Sequence, residues 1–356
     1  MRVPLAERGY DVWIGPGLIQ SAGARLAEAV RGRDVALISD SNVGGLYSHA
    51  VRDSLQSAGF RVEILEVAAG EKSKCLAAAE RLCEEMADLG FRRDAVVIGL
   101  GGGVIGDLAG FVAAIYQRGL AFVQMPTTIL SFVDSAVGGK TGVNLRRGKN
   151  LVGAFHQPQL VIGDTHTLAS LGEREAYEGF AEIIKHGVIA DPDLVKMSRP
   201  PLDPETLPQL LARNVAIKAA VVSSDEFETT GLRALLNFGH TIGHAIESAA
   251  GYGQYLHGEA ISLGLRAAGW LSMENAGFPA TDHAALLEAL DAFGLPLVLP
   301  HSIGMHALLD AMGRDKKAVS SGVRFVLASR LGCVALHDPL PQSQIEAAIE
   351  HLRHAP

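Results

Sequence analysis

The first 165 residues alternate short apolar segments with segments of helical periodicity, and this alternation restricts the possible folds more than any other feature of the chain. The apolar segments are rich in β-branched residues, and we expect strands at residues 10–14, 35–39, 61–67, 95–100, 121–125 and 160–162. Strands that alternate with helices are typical of a parallel sheet covered by helices. The sequence therefore predicts an α/β domain over residues 1–165.

The pattern changes after Asp164, where long helical segments follow one another. A capping-box sequence at residues 170–173 predicts a helix that continues to about residue 189. The next strand-like segments are short and lie at residues 323–327 and 333–336. A chain of 356 residues is long enough for two domains. We therefore expect a second, mainly α-helical domain over residues 166–356.

The composition excludes several classes of function. A formal charge of -8 argues against nucleic acid as a partner, because phosphate binding along a duplex needs a basic field. No stretch approaches the roughly 18 to 20 consecutive apolar residues of a membrane span. The three cysteines include no C-x-x-C pair, which argues against a disulfide framework or a zinc site on sulfur. We expect a cytoplasmic protein whose anionic ligands meet local cations.

Residues 95–107 (AVVIGLGGGVIGD) form a buried strand, a glycine-rich turn and the start of a helix. Gly101, Gly103 and Gly106 match the G-x-G-x-x-G pattern, in which backbone N–H groups approach a pyrophosphate. A tight strand-to-helix turn without a ligand accounts for the glycines about equally well. The acidic residue expected about 20 positions later is missing, and Asp40 at the end of an earlier strand is a substitute. We infer a Rossmann-like nucleotide site with a different order of its ribose and phosphate elements.

A locally basic stretch follows the glycine turn. Residues 135–163 contain no Asp or Glu but include Lys140, Arg146, Arg147 and Lys149. The G-x-x-x-x-G-K-[ST] spacing of a P-loop fails, because Asp134 stands where the first glycine is required. A solvated loop explains Arg146 and Arg147 equally well. Glycines beside Lys140 and Lys149 favour a phosphate or carboxylate contact at those lysines.

A polar stripe marks residues 230–250, for which the periodicity predicts one continuous helix. At helical spacing one face carries Arg233, Asn237, His240, His244 and Glu247. The alternative is an ordinary amphipathic surface helix, but such a helix would carry mostly Lys and Glu. Gly239 and Gly243 each reduce helix stability by roughly 1 kcal/mol relative to alanine. Their presence indicates a close neighbour.

The histidines of this stripe suggest a metal site. His240 and His244 are one helical turn apart, although no H-E-x-x-H motif is present. His257 opens the next helix, and Glu182 lies on an earlier helix with Lys185 three residues later. Singly, each histidine is better explained as a structural hydrogen-bonding residue. As a set, they favour a His/His/Glu zinc site with an open position for substrate.

Several motifs in order along the chain resemble the 3-dehydroquinate synthase family of sugar-phosphate cyclases. They are residues 101–107 (GGGVIGD), 126–128 (PTT), 133–142 (VDSAVGGKTG), 148–153 (GKNLVG), 181–185 (AEIIK), 236–244 (LNFGHTIGH) and 256–259 (LHGE). The resemblance implies conversion of 3-deoxy-D-arabino-heptulosonate 7-phosphate to 3-dehydroquinate and phosphate. It further implies transient oxidation by NAD, phosphate elimination, reduction and intramolecular aldol closure, in the shikimate pathway that supplies chorismate and aromatic amino acids.

The resemblance also implies the site residues. The metal ligands, for Zn²⁺ or Co²⁺, would be Glu182, His240 and His257. The NAD contacts would be Asp40, Asn42, Glu71, Lys74, Gly102, Gly103, Val104, Asp107, Thr127, Thr128 and Lys149. The contacts to an anionic sugar phosphate would be Asp134, Lys140, Asn150, Lys218, Arg233, Asn237, His244 and Lys316, with Lys317 as the alternative to Lys316. The catalytic set would be Lys185, His244, Asn237 and Asp134, and Arg118 would reach the phosphate site of the partner in a homodimer.

The chain departs from the family pattern at two positions. Glu228 stands five residues before Arg233, where the family has an acidic residue four before, so the role of Glu228 as a proton acceptor is open. Glu178 occupies a position where an amide or small residue is expected. The alternatives are another cyclase such as an aminodehydroquinate synthase, a metal-dependent alcohol or glycerol dehydrogenase, and a catalytically inactive binding protein.

Overall fold

The computed structural model describes residues 1–201, 203–251, 253–314, 318–319 and 322–356. The strands in these ranges are β1 (Arg2–Val3), β2 (Tyr10–Gly15), β3 (Asp34–Asp40), β4 (Arg61–Val67), β5 (Val96–Gly101), β6 (Ala121–Pro126), β7 (Lys140–Leu145), β8 (Gly148–Phe155), β9 (Leu160–Asp164), β10 (Ala318–Val319), β11 (Gly322–Val323), β12 (Val326–Arg330) and β13 (Cys333–Leu336). The α-helices are α1 (Ala22–Ala29), α2 (His49–Ser57), α3 (Leu76–Asp88), α4 (Gly103–Ile115), α5 (Glu173–Glu178), α6 (Phe180–Ala190), α7 (Pro192–Met197), α8 (Leu207–Ser224), α9 (His240–Ala250), α10 (His257–Ala276), α11 (Ala280–Asp291), α12 (Met305–Arg314) and α13 (Gln342–His351).

The chain divides into two compact units. The first consists of residues 1–171 and 204–223, and the second consists of residues 172–203 and 224–356. Nearly all of α8 therefore belongs to the first unit, although α8 follows three helices of the second. None of the described helices combines the length and apolar character that crossing a bilayer requires.

The first unit is built on a seven-stranded sheet in the order β1-β2-β9-β6-β5-β3-β4. β1 is antiparallel to β2, and the other neighbouring strands are parallel. Central strands of such a sheet are covered on both faces, and all six residues of β5 are buried accordingly. The predicted strands in the first 165 residues correspond to β2, β3, β4, β5, β6 and β9, which confirms the expected α/β fold.

The strand order brings three predicted nucleotide-site segments to one edge of the sheet. β5 lies between β3 and β6, and all three strands are parallel. Asp40 ends β3, Gly101 ends β5, and Thr127 follows β6. The carboxyl ends of adjacent parallel strands form the crevice where open α/β sheets bind ligands. Folding thus brings Asp40 close to the glycine turn, although the two are far apart in the sequence.

The basic stretch forms a β-hairpin, which the sequence analysis did not predict. β7 pairs antiparallel with β8, from Lys140 opposite Phe155 to Leu145 opposite Gly148. Arg146 and Arg147 form the turn and are exposed. The Arg-Arg turn lacks the glycine or asparagine that normally signals a hairpin, so the sequence of residues 140–155 indicated a loop.

In the second unit α9 and α10 pack with their backbones almost in contact. A Cβ atom on Gly264 would lie 2.0 Å from the carbonyl oxygen of Gly239, and one on Gly243 would lie 2.8 Å from Ile261 Cδ1. Larger residues at these positions would push the helices apart. The apolar core beneath them includes Ile242, Ile246, Ala260, Leu263, Leu271, Leu308, Ile345 and Ile349.

The prediction of one continuous helix over residues 230–250 is wrong. Residues Leu232–Asn237 form a 3-10 helix, and α9 begins only at His240. Gly239 between them has φ +79°, a left-handed conformation that interrupts the helical path. Arg233 and Asn237 therefore do not continue the helical stripe of His240, His244 and Glu247.

The predicted helix over residues 170–189 is also modified. It consists of α5 and α6, and Gly172 is the residue that precedes α5. The Ser170 hydroxyl donates to the Thr167 carbonyl oxygen instead of capping a helix, so the capping box does not form. Of the two late strand segments, residues 333–336 match β13, and the other strand lies three residues later than predicted, at Val326–Arg330.

Candidate active site

Three side chains of the second unit meet at one carboxylate oxygen. Glu182, in the first turn of α6, is completely buried. Its Oε1 atom lies 3.4 Å from Nε2 of His240 and 3.4 Å from Nε2 of His257. These two histidines begin α9 and α10, so the close packing of the helices brings the rings together. The structure thus joins the three predicted metal ligands.

Burial and neighbouring charges shift the pKa values of Glu182, His240 and His257. Lys185, one turn after Glu182 and 1% exposed, forms an ion pair with the Glu182 carboxylate. Burial alone would raise the pKa of Glu182, but the Lys185 ammonium and the His240 ring hold this pKa well below its usual range. Burial and Lys185 together lower the pKa of His240 well below its ordinary value. Burial also disfavours a charged His257, yet the Glu182 and Glu247 carboxylates raise the pKa of His257 to about 10.

The donor set fits a divalent metal ion. Both carboxylate oxygens of Glu182 are buried and accept no hydrogen bond of good geometry from the described residues. The Nδ1 atom of His240 lies 3.2 Å from the carbonyl oxygen of Phe238, which can only accept, so Nδ1 carries the proton and Nε2 presents its lone pair to Glu182. A lone pair facing an anionic oxygen calls for a cation between them. Two imidazoles and one carboxylate suit Zn²⁺ or Co²⁺.

His244 lies beside this cluster. Its ring centroid is 5.0 Å from that of His240 and 5.8 Å from that of His257. The ligand atoms of these three histidines also lie within 4.8 Å of one another. Glu182 is nevertheless the better third ligand, because its Oε1 is close to both Nε2 atoms and it supplies negative charge. His244 is half-buried beside the cluster.

In the first unit the glycine turn leaves room for a ligand at the start of α4. Gly102 precedes the helix, and a Cβ atom there would lie 3.1 Å from Thr128 Cγ2. A Cβ on Gly103 would lie 3.2 Å from the Ser135 hydroxyl oxygen. Side chains at either glycine would crowd the helix N-terminus, whose N–H groups favour a phosphate. This cradle fits the pyrophosphate of a dinucleotide.

Other predicted cofactor residues form two contact pairs near this turn. Lys74, which is nearly buried, forms an ion pair with Asp107 of α4; burial raises the pKa of the Asp107 carboxyl, and Lys74 opposes this effect. Glu71 accepts a hydrogen bond of 2.7 Å from Asn144 and lies 3.8 Å from the Lys149 ammonium. The segment before α3 is thus linked to α4 through Lys74 and to the hairpin through Glu71.

Asp40 serves the turn that follows β3. Its Oδ1 atom accepts hydrogen bonds from the N–H groups of Asn42, at 2.9 Å, and Val43, at 3.0 Å. Thr127 is buried and its N–H donates to the Gly101 carbonyl oxygen, while Thr128 exchanges hydrogen bonds with Ser131. The Oδ2 atom of Asp40 takes no part in the two turn hydrogen bonds, which both use Oδ1.

The predicted substrate residues of the first unit take distinct positions. Lys218 on α8 binds both the side chain and the carbonyl oxygen of Asp134. Lys140 begins β7, whereas Asn150 lies nearer the hairpin turn with φ +54° and donates its N–H to Asn144. Arg118 also has a positive φ, +67°. Left-handed non-glycine residues store backbone strain, and such strain is common at functional sites. Asn150 and Arg118, both predicted to bind substrate, have this conformation.

In the second unit a short loop holds Arg233. Asp225 accepts hydrogen bonds from the N–H groups of Thr229, Thr230 and Arg233. Burial alone would raise the pKa of Asp225, but these hydrogen bonds outweigh that effect and lower the pKa to about 2. Glu228, with φ +57°, lies with its carboxylate 3.7 Å from Arg233 Nε. Asp225 was not among the predicted site residues, although an Asp before a Thr-Thr-Gly cluster signals such a turn. Lys316 and Lys317 lie outside the described residues.

We predict that Asp225→Ala lowers stability in a pH-dependent way. The folded pKa of Asp225 lies below the unfolded value, so its contribution is present above about pH 4 and is lost as the pH falls towards 2. Urea unfolding between pH 7 and pH 3 is expected to show a wild-type advantage that shrinks below about pH 4. Asp338→Ala, at an exposed position, is the matched control. An advantage unchanged down to pH 3 would contradict the assignment.

Sequence comparison identifies relatives along nearly the whole chain. Profiles of the 3-dehydroquinate synthase N-terminal and C-terminal domains match residues 64–178 and residues 179–318. The 3-dehydroquinate synthase of Desulforamulus reducens is 44% identical over 355 residues, which cover 98% of this chain and 99% of the relative.

Solved structures are similar over the same extent. A crystal structure of 2-deoxy-scyllo-inosose synthase complexed with carbaglucose-6-phosphate, NAD⁺ and Co²⁺ has a TM-score of 0.88 and 28% identity, with 99% of each chain covered. A structure of 2-epi-5-epi-valiolone synthase from Streptomyces hygroscopicus with NAD⁺ and Zn²⁺ bound has a TM-score of 0.85 and 26% identity, with 96% of each chain covered. The resemblance drawn from the motifs is thus confirmed. The chain belongs to the 3-dehydroquinate synthase family.

Proposed function

We propose that this chain is a phosphate-eliminating lyase that converts 3-deoxy-D-arabino-heptulosonate 7-phosphate to 3-dehydroquinate, with NAD and a divalent metal ion as cofactors. The observation that carries the proposal is the buried Glu182 carboxylate facing two imidazole nitrogens, in a chain 44% identical to a 3-dehydroquinate synthase over nearly its full length. The reaction belongs to the shikimate pathway, which supplies chorismate and the aromatic amino acids.

The metal site consists of Glu182, His240 and His257. These residues would hold a Zn²⁺ or Co²⁺ ion, which would supply polarisation of a substrate hydroxyl, and a bound NAD would supply reversible hydride transfer. The Phe238 carbonyl fixes the tautomer of His240, and Lys185 keeps Glu182 ionised. These contacts prepare His240 Nε2 and the Glu182 carboxylate as metal ligands.

The cofactor residues form the second part of the proposal. We assign NAD binding to the domain of residues 1–165 and metal and substrate binding mainly to residues 166–356. The glycine turn receives the pyrophosphate, Asp40 holds a ribose, and the remaining NAD contacts are Asn42, Glu71, Lys74, Asp107, Val104, Thr127, Thr128 and Lys149. The strand order that collects Asp40, Gly102 and Thr127 at one sheet edge supports this assignment.

The substrate carries a carboxylate and a phosphate, and the chain offers cations for both. We assign Arg233 and Lys218 to the carboxylate, since a guanidinium matches the geometry of a carboxylate. We assign Lys140, Asn150, Asn237 and His244 to the phosphate. Asp134 orients Lys218 through two contacts, and the strained loop around Glu228 presents Arg233. Lys316 completes the proposed set.

We further propose a cytoplasmic homodimer in which Arg118 reaches the phosphate site of the partner. Gln117, Arg118 and Gly119 have φ angles of +50°, +67° and +122°, so the backbone presents Arg118 in a strained turn. Such strain persists only where the surroundings impose it. A cation held this way suits recognition of a fixed anion.

We predict catalytic rather than stoichiometric use of NAD. Anaerobic incubation with the heptulosonate phosphate and substoichiometric NAD is expected to release one phosphate per substrate with no net gain in NADH absorbance. An alcohol or glycerol dehydrogenase, the alternative with a similar fold, would instead accumulate NADH with its substrate. Stoichiometric NADH, or no phosphate release with saturating metal and NAD, would overturn the proposed function.

A further inference from the structure

Glu178, the last residue of α5, contacts the helix that carries a proposed metal ligand. The residue is 9% exposed, and its Oε2 atom accepts a hydrogen bond of 2.6 Å from the N–H group of Gly258. Gly258 directly follows His257, the first residue of α10. The first N–H groups of a helix have no partner within the helix, and the positive end of the helix dipole favours a carboxylate there.

The backbones also approach each other at this point. A Cβ atom on Gly258 would lie 1.8 Å from the carbonyl oxygen of Glu178 and 2.6 Å from its carbonyl carbon. Only glycine fits at position 258 while Glu178 keeps this position. Glu178 therefore fixes the first turn of α10 through backbone packing and through one buried hydrogen bond.

The other contacts of this turn are different in kind. Arg174 binds Glu259 at 2.6 and 2.7 Å, but its side chain is 57% exposed, and exposed ion pairs contribute little. On the ring side, Glu247 lies 3.4 Å from Nδ1 of His257. Glu247 thus orients the imidazole, and Glu259 caps α10 by accepting a hydrogen bond of 2.8 Å from the N–H group of Leu256, before His257. Glu178 is the buried contact that holds the N–H group of Gly258, directly after His257.

We propose that Glu178 is a positioning residue that holds the backbone at His257 so that this ring can bind the metal ion together with Glu182 and His240. The inference rests on the metal site of the proposed function. What Glu178 supplies above all is an acceptor oxygen at the correct reach, and its charge adds the smaller attraction to the positive end of the helix dipole. Loss of a residue that orients a metal ligand typically weakens metal affinity by about 10- to 100-fold.

Two conservative variants separate reach from charge. Glu178→Asp keeps the charge but shortens the side chain by one methylene, so its carboxylate falls short of Gly258. Glu178→Gln keeps the length and an acceptor oxygen but removes the charge. We expect Glu178→Asp to weaken Zn²⁺ binding by about 10-fold or more and Glu178→Gln to stay within about fivefold of wild type. Glu175→Asp, on the same helix at an exposed position, is the matched control.

Zn²⁺ affinity of the full chain, stripped of metal, is measured by competition with a chelating dye, and Co²⁺ spectra report the ligand set. We expect wild type and Glu178→Gln to share a Co²⁺ spectrum. Equal affinities for Glu178→Asp and wild type, or a weaker Glu178→Gln than Glu178→Asp, would refute the positioning role while leaving the metal site intact. An altered Co²⁺ spectrum in Glu178→Gln would make Glu178 a ligand and also refute it. Failure of wild type to bind either metal would remove the site and the inference together.

Discussion

Chelation of the metal ion is expected to lower the rate of phosphate release by at least about 10³-fold, and added Zn²⁺ or Co²⁺ is expected to restore it. A metal that polarises a reacting oxygen contributes several kcal/mol to transition-state stabilisation, and each 1.36 kcal/mol is a factor of about ten in rate.

The residue assignment behind this result can be tested by substitution. His257→Ala removes one ligand and is expected to reproduce the activity loss without chelator, because two remaining ligands hold the ion weakly. His306→Ala is the matched control, since the His306 side chain is 91% exposed. Phosphate release is measured at saturating NAD and substrate with defined free Zn²⁺. Full turnover by the metal-stripped enzyme would disprove the assignment of all three ligands.

Lys140→Ala is expected to lower kcat/KM by roughly 10- to 150-fold, whereas Arg146→Ala and Arg147→Ala should each lose less than about tenfold. Loss of a charge-assisted hydrogen bond to the substrate phosphate costs about 1.5 to 3 kcal/mol. The three residues can be compared because they lie at opposite ends of the hairpin. Lys140 begins β7, and the two arginines form the turn between β7 and β8. Six residues of extended strand span about 20 Å, too far for these cations to share one phosphate.

Ionic strength separates the two kinds of cation. The small effects of Arg146→Ala and Arg147→Ala come from long-range attraction and should shrink as salt screens the field. The Lys140→Ala effect comes from a direct contact and should persist. Steady-state kinetics at low and high salt, with folding checked by circular dichroism, test this difference. Equal losses for all three variants at high salt would place the phosphate elsewhere.

The sheet was predictable because buried parallel strands have a local signature. Residues 61–67, for example, were expected to be a strand from their β-branched content and form β4 over the same residues. The hairpin was not predictable, because exposed residues of β8 carry no apolar alternation and the Arg-Arg turn carries no turn signal. The local hydrophobic pattern of a sequence predicts buried strands well, but it does not predict the pairing of exposed strands.

The candidate site was predictable in its residues but not in its geometry. Helical spacing suggested His240 and His244 as a pair, whereas the structure pairs His240 with His257 through Glu182. That arrangement depends on packing between α6, α9 and α10, which one-dimensional spacing does not encode. The interruption at Gly239 was missed for a similar reason, because a left-handed glycine and an ordinary helical glycine look identical in sequence.

The glycine contacts between α9 and α10 have a consequence for protein engineering. Replacing helical glycines with alanine is a standard route to thermostability and usually gains up to about 1 kcal/mol per position. At Gly243 and Gly264 an added methyl group would instead separate the helices that begin with His240 and His257. At the exposed Gly45, by contrast, no atom lies within 4 Å of an added Cβ, so alanine fits there without a clash. Alanine at Gly243 or Gly264 is instead expected to lower the melting temperature and to weaken metal binding together.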